Sequence, residues 1–406
     1  MSNVKLGEHI INNISVVQLE DADNAGTYIN FAVAPVQNSY VVTFMANGDV
    51  YQQVTVKAGE KVYAPINDPT PPEQTQAFYG WKTPTGTDVV FPYTPTANIT
   101  LTAQIGDYWK ATVSNLGVEN PSYVAFNVPA SNVAKPWSET TVNGDVFIKF
   151  NKMYKKIVTV TDNQITAFEI ANAKLDDDYK LYPCFIDESG NELDYILVGK
   201  YMSKSSTTCN SVASGSKVNQ TLSNGRTRAR ARGIGYQLMD WRIQRLWQDL
   251  VICTYKKIDI NSGSGITTDT LGLEWETSGN WIDGFCHIDS SWVYSNSPSK
   301  YIDSPTALSE GYASISGYTA PTINEGEIKK LGYDSTQPFF NYPSATVSNS
   351  SYNTYYCDGY YYSSGNHPVN AFVGITVANY GAFNCNGYYV WSSTSGVRLC
   401  YRPTAT

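Results

Sequence analysis

The stretch "YQLMDWRIQRLWQDLVIC", residues 236 to 253, constrains this chain more than any other. Its apolar residues Met239, Ile243, Leu246 and Leu250 recur three and four positions apart, with Trp247 and Val251 on the same side. That spacing predicts an α-helix with one buried stripe, started by the acidic Asp240. Arg242, Arg245, Gln248 and Asp249 fall largely off the stripe, and the tryptophans read as packing residues. Most of the remaining chain is patterned for strands, so this helix is the element a core must be built around.

Immediately before it, "RTRARARG" places Arg226, Arg228, Arg230 and Arg232 at alternate positions, followed by Gly233 and Gly235. In an extended segment, alternation would put all four guanidinium groups on one side. A nucleic-acid grip would need a broader basic face, and the chain carries a net charge of -8. A structural bracket, in which the arginines pair with carboxylates of the same or a neighbouring subunit, is the expected role. No nucleic-acid partner is expected.

With 406 residues, two or three domains are expected, and 42% apolar against 16% charged residues supports packed cores. The 31 tyrosines exceed ordinary usage, and Tyr combines a rigid contact surface with a polar tip. The seven cysteines (Cys184, Cys209, Cys253, Cys286, Cys357, Cys385, Cys400) are scattered and form no C-x-x-C pair. Neither a zinc site nor a disulfide framework is expected, and most cysteines are read as reduced, several of them buried. "MSNVKLGEHI" carries no basic and then apolar leader, and no apolar run reaches the length of a membrane span. No secretory signal and no membrane insertion are therefore expected. A binder-like surface on a chain kept in a reducing cytoplasm fits a virion protein, assembled inside the host cell and released by lysis.

Along the chain, "NVKLGEHIINNISVVQLEDADNAGTYINF" in residues 1–40 resembles the short β modules that begin phage fibre and minor structural proteins, which implies a virion-attachment β segment; the alternative is simply another strand pair. In residues 41–106, "SYVVTFMANGDVYQQVTV" alternates on both sides of Asn47-Gly48, a strong hairpin signal. "INDPTPPEQTQ" reads as a proline-rich loop, and "FYGW" and "NITLTAQI" as further strands. Residues 107–135 read as a linker or strand. Within 136–406, "VFIKFNKMYKKIVTV" is strand-rich, "YKLYPCFIDESGNELDYILVGKYMS" reads strand, turn, strand, and "SKSSTTCNSVASGSKVNQTLSNG" reads as a mobile polar loop.

Two further resemblances attach to these motifs. "VTFMANGD", "VTVKAGEKVYAP", "FYGW" and "ITLTAQ" resemble the Listeria–Bacteroides repeat, a small β module of bacterial surface proteins, which implies a spacer without chemistry. Residues 136–406 resemble a family of phage and prophage structural proteins with a C-type-lectin-like fold of the kind found in formylglycine-generating enzymes. The matching pieces are "ARARGIGYQLMDWRIQRLWQDLVICTYKKIDINSGSG", "VFIKFNKMYKKI", "YPCFIDESGNELDYILVGKY", "NWIDGFCHI" with Trp281, and the closing "GYYVWSSTSGVRLCYRP" with Arg398. The expected fold class is therefore multidomain and mainly β: small N-terminal β modules, then an α+β C-type-lectin-like domain. The resemblance implies that Arg228, Arg230, Arg232, Gly233, Gly235, Asp240, Trp281 and Arg398 are structural. It also implies that the helix packs on an irregular antiparallel sheet closed by "VRLCYRP".

Catalytic residues, metal and cofactor are all expected to be absent. The three histidines are isolated, and Cys385 and Cys400 lack the surroundings found in formylglycine-generating enzymes. "KLDDDYK" and "DINSGSG" could hold a hard cation, but a solvated acidic turn is the simpler reading. The functional signal lies in "SYNTYYCDGYYYSSGNHPVNAFVGITVANYGAFNCNGYYVW", whose Tyr, Asn, Ser and Gly make up the composition of paratopes. Tyr355, Tyr356, Tyr360, Tyr361, Tyr362, Asn379, Tyr380, Asn384, Tyr388, Tyr389 and Trp391 are the expected ligand-binding residues; the bland alternative is that they merely fill long loops. The expected protein is a phage fibre or decoration, on head or tail, binding a host-surface glycan or protein. It would be a homotrimer joined to capsid or tail proteins by its N-terminal segment. The alternatives are a bacterial surface adhesin and a decoration without a ligand.

Overall fold

The computed structural model describes residues 16–20, 28–32, 39–116, 122–124, 133–255, 269, 271–274, 280–288, 291–301, 313–314, 327–333, 335, 338–339, 342–347, 367–371, 385–386 and 396–403. The chain is mainly β and divides into two compact units, 1–72 with 78–105, and 73–77 with 106–406.

In the first unit, β1 (Val16–Glu20) and β2 (Tyr28–Ala32) pair antiparallel. A separate sheet contains β3 (Ser39–Ala46), β4 (Asp49–Lys57), β5 (Gln76–Lys82) and β6 (Ile99–Asp107) in the order β4-β3-β6-β5. The β3–β4 hairpin turns where expected: Asn47 and Gly48 sit at φ 53° and 90°, which suits the right-handed twist of the strands. β6 lies parallel to β3. Alternate residues of β3 point inward, and Val42, Phe44, Leu101 and Trp81 form the buried core of this unit. The Phe44 and Trp81 rings meet edge to face at 4.8 Å.

The second unit begins with β7 (Lys110–Ser114), which pairs antiparallel with both β8 (Ser122–Val124) and a later strand. β9 (Trp137–Val142) and β10 (Asp145–Asn151) form a hairpin, as do β11 (Tyr154–Thr161) and β12 (Gln164–Ala171). Both turns use positive φ, at Asn143-Gly144 and at Asp162-Asn163. β13 (Lys180–Leu181), a 3-10 turn (Pro183–Phe185) and β14 (Tyr195–Gly199) follow, then α1 (Leu222–Arg230), β15 (Tyr236–Leu238) and α2 (Trp241–Tyr255). The remaining strands are β16 (Asn280–Ile288), β17 (Ser291–Tyr294), β18 (Ala313–Ser314), β19 (Glu327–Gly332), β20 (Tyr342–Val347), β21 (His367–Ala371), β22 (Cys385–Asn386) and β23 (Leu399–Tyr401).

They build three sheets. One runs β15-β23-β14-β10-β9 and another β18-β17-β16-β21-β22. The third runs β13-β11-β12-β19-β20, with β7 also on β12. Within 107–135, read as a linker or strand, β7 joins the third sheet with Ala111 opposite Ile170, and Ala111 and Val113 are fully buried.

The predicted helix α2 forms, and it carries the core. Ile243, Leu246, Trp247, Leu250 and Val251 pack with Ile148, Phe150, Ile196 and Val198 of the first sheet and with Val113, Phe168 and Ile170 of the third. Each fully buried aliphatic side chain contributes about 1.5–3 kcal/mol. The residues off the apolar stripe are buried as well. Arg242, Gln244, Arg245, Gln248 and Asp249 are all buried, because elements pack on more than one side of the helix. The polar loop before α1 is anchored at Cys209 and Ser211. Cys209 is buried, the Ser211 amide donates to Asp145 Oδ1 at 2.7 Å, and the Ser211 hydroxyl donates to the Val146 carbonyl at 2.6 Å.

Candidate functional site

The arginine row is helical, which corrects the extended reading. Thr221 caps α1 by accepting from the Asn224 amide, and Leu222, Gly225, Arg226 and Ala229 form its buried face. Their spacing of three, one and three is a helix signal that the alternating arginines obscured. The four guanidinium groups therefore diverge instead of sharing one side. Arg226 donates through Nε and Nη2 to Asp283, with contacts of 2.7 to 3.2 Å. Arg228 donates to Gln220 Oε1 at 2.5 Å. Arg230 is more exposed and reaches the Pro298 carbonyl at 2.6 Å. Arg232, just past the helix, pairs with Asp145 and donates to the Cys209 carbonyl. Two of the four arginines thus form ion pairs with carboxylates of the same chain.

Gly233 and Gly235 turn the chain from α1 into β15 at φ 124° and 85°. At Gly235 a Cβ would lie 2.2 Å from the Arg402 carbonyl oxygen, so only glycine fits. Asp240 then starts α2, accepting from the Ile243 amide at 3.1 Å. Its carboxylate also accepts from Arg242 Nε at 3.0 Å, from the Tyr301 hydroxyl at 2.9 Å, and from Arg402 Nη2 at 3.2 and 2.9 Å. Burial pushes this carboxyl up, but Arg242 and Arg402 outweigh that and hold it below its ordinary value. Nearby Asp283 stays above its ordinary value, since burial outweighs Arg226 there. Trp281 is buried and donates from Nε1 to the Gln220 carbonyl at 2.8 Å. Arg398, fully buried, donates to the carbonyls of Gly199, Lys200 and Glu274, which ties three segments together. All eight residues expected to be structural sit in this framework, with Arg230 the most peripheral.

Above the framework lies an open cleft of about 520 Å³. Its lining includes Glu188, Arg230, Ile234, Tyr236, Gln237 and Arg402. Ile234 is 83% exposed, and the Tyr236 ring leans on Tyr401 with centroids 4.9 Å apart. Asp187 at the rim is already occupied by the Ser189 and Asn191 amides, and its carboxyl is held low mainly by the Asn191 side chain. A ring, an aliphatic wall and a few donors and acceptors suit a small polar ligand without a dominant charge. Sequence reasoning placed Arg230 and Gly235 but missed this cleft, because its walls come from segments far apart in the chain.

Other candidate groups lie elsewhere among the described residues. No group of three or more His, Cys, Asp or Glu there could hold a metal ion. In the acidic turn, Asp176 pairs with Lys156 and accepts from the Asp178 amide, while Asp177 pairs with Lys174. The other acidic turn, from Asp259, lies outside the described residues. Cys184, Cys209, Cys253 and Cys400 are free and buried. Burial pushes the Cys209 thiol up to about 12, so it is a poor nucleophile at neutral pH. No helix among the described residues is long and apolar enough to cross a membrane.

The expected ligand-binding residues Tyr355, Tyr356, Tyr360, Tyr361, Tyr362, Asn379, Tyr380, Asn384, Tyr388, Tyr389 and Trp391 lie outside the described residues. Flanking elements place both ends of their segment in the second unit: β20 pairs with β19, and β23 with β14 and β15. No protein-family model matches the chain. No curated protein matches it either.

Proposed function

We propose that the chain is a phage virion protein, a fibre or decoration of head or tail, whose second unit binds a host-surface glycan or protein. The observation that carries this reading is the Tyr-, Asn-, Ser- and Gly-rich segment between β20, which pairs with β19, and the buried strand β23, which pairs with β14 and β15. Rigid support under adaptable polar and aromatic residues is what a recognition surface needs. The central helix, its ion-paired N-terminus and the closing strand β23 support a C-type-lectin-like reading of this unit. The single small sheet of residues 39–107 supports a spacer related to the Listeria–Bacteroides repeat. In this reading residues 1–40 join the chain to capsid or tail proteins, and three copies form the projecting fibre. The protein is assembled in the host cytoplasm, acts as a binder and not as an enzyme, and needs no cofactor.

The test is binding of the purified full chain to intact cells of a panel of bacterial strains. Saturable binding to some strains, removed by treating those cells with glycosidase or protease, supports the reading. Binding equal to a control protein on every strain would leave a decoration without a ligand.

A further inference from the structure

Lys155 on β11 and Asp249 on α2 meet inside the second unit, 94 residues apart in sequence. Their side chains are 1% and 0% exposed, and Nζ lies 2.8 Å from Oδ2. The Tyr182 hydroxyl donates to that same oxygen at 2.7 Å. The Phe168 ring lies 5.0 Å from Nζ, Leu250, Ile252 and Cys253 are buried on the same helix, and the buried Arg245 also faces Lys155. Recognition of a host surface uses none of these groups.

We propose that Lys155 and Asp249 condense into an intramolecular amide that joins β11 covalently to α2. In water such a condensation is opposed chiefly because the free amine and acid are stabilised as hydrated ions. A buried site removes that hydration, and the burial of Lys155 disfavours its charged form. Contact between the partners supplies the rest. Well-oriented intramolecular reactants reach effective molarities on the order of 10⁵–10⁸ M, far above the concentration of liquid water.

The ion pair already contains every atom the reaction needs. One Nζ proton passes to Oδ2 across the contact, and the freed lone pair attacks Cγ. The C–N bond forms, the Cγ–Oδ2 bond breaks, and a second Nζ proton leaves with Oδ2 as water. One hydrogen stays on the new amide, and no charge is gained or lost. Tyr182, donating to Oδ2, steadies that oxygen as it departs. The product replaces two buried charges by one neutral amide. It also fastens the central helix to a sheet in a chain whose four described buried cysteines are unpaired.

The experiment is mass spectrometry of the full chain, denatured and reduced, followed by protease digestion. The expected mass is lower than that of the sequence by one water molecule, and a branched peptide should join the segments containing Lys155 and Asp249. Lys155→Arg should restore the full mass and abolish the branched peptide. Tyr182→Phe keeps both reacting groups and should accumulate uncondensed chain. A wild-type chain at full sequence mass, with no branched peptide after prolonged incubation, overturns the proposal whether or not the variants fold.

Discussion

Arg402 and Asp240, 162 residues apart, are joined by two contacts from one guanidinium nitrogen at 2.9 and 3.2 Å, and both residues are buried. The pair fastens the last described turn of the chain to the first turn of α2. Removing one partner of such a pair strands the other charge in the core. Asp240→Asn should therefore cost about 3–5 kcal/mol, with Arg242 and Arg402 both left short of a counter-charge. Urea unfolding at neutral pH measures this, and a loss below about 1 kcal/mol would mean the cluster is solvated.

The same carboxyl predicts part of the acid sensitivity. Its value in the folded chain is held below the ordinary 3.8, so the unfolded chain binds more protons as pH falls. The contribution of Asp240 is complete above that ordinary value and is lost as pH drops through the lower folded value. Asp283, held high by burial, acts in the opposite sense. The stability difference between wild type and Asp240→Asn should therefore shrink steadily on acidification below about pH 4. A difference that stays constant with pH would contradict the assignment.

Two neighbouring glycines should respond differently to alanine. At Gly233 the new Cβ meets nothing within 4 Å, so the cost is the left-handed backbone alone, about 1–2 kcal/mol. At Gly235 the Cβ would collide with the Arg402 carbonyl and the Tyr401 ring, so the cost should exceed that of Gly233→Ala by about 1–3 kcal/mol. Equal melting temperatures for the two variants would contradict the close approach of β15 to the C-terminal strand.

The arginine row separates in the same way. Arg232→Glu would set a second carboxylate against buried Asp145 and should impair folding. Arg230→Glu loses one bond to a backbone carbonyl at the surface and should cost less than about 1 kcal/mol. Soluble yield and thermal unfolding of the two variants provide the comparison.

How much of this was legible depended on how local each signal was. The Asn47-Gly48 hairpin and the helix after Asp240 were readable because turn chemistry and helical spacing are set within a few residues. Asn143-Gly144 carries the same turn signal between β9 and β10. The alternating arginines misled, because a period of two suggests a strand although Leu222, Gly225, Arg226 and Ala229 already mark a helix face. The burial of the residues off the α2 stripe was not legible, for a different reason. Arg242 and Asp249 are buried against Asp240 and Lys155, and Lys155 comes from a strand far away in the sequence. The cleft was illegible for the same cause, as Glu188, Arg230, Pro298 and Arg402 converge only after folding.

Recognition through the tyrosine-rich segment is the central claim, and one comparison tests it most directly. Wild type and a Tyr360→Ala, Tyr361→Ala, Tyr389→Ala triple variant are measured side by side for binding to a cell strain that retains the wild type, and for thermal unfolding. Loss of cell binding with a melting temperature within about 2 °C of wild type is the predicted result. Undiminished binding, or a fall in melting temperature that parallels the loss of binding, would contradict it.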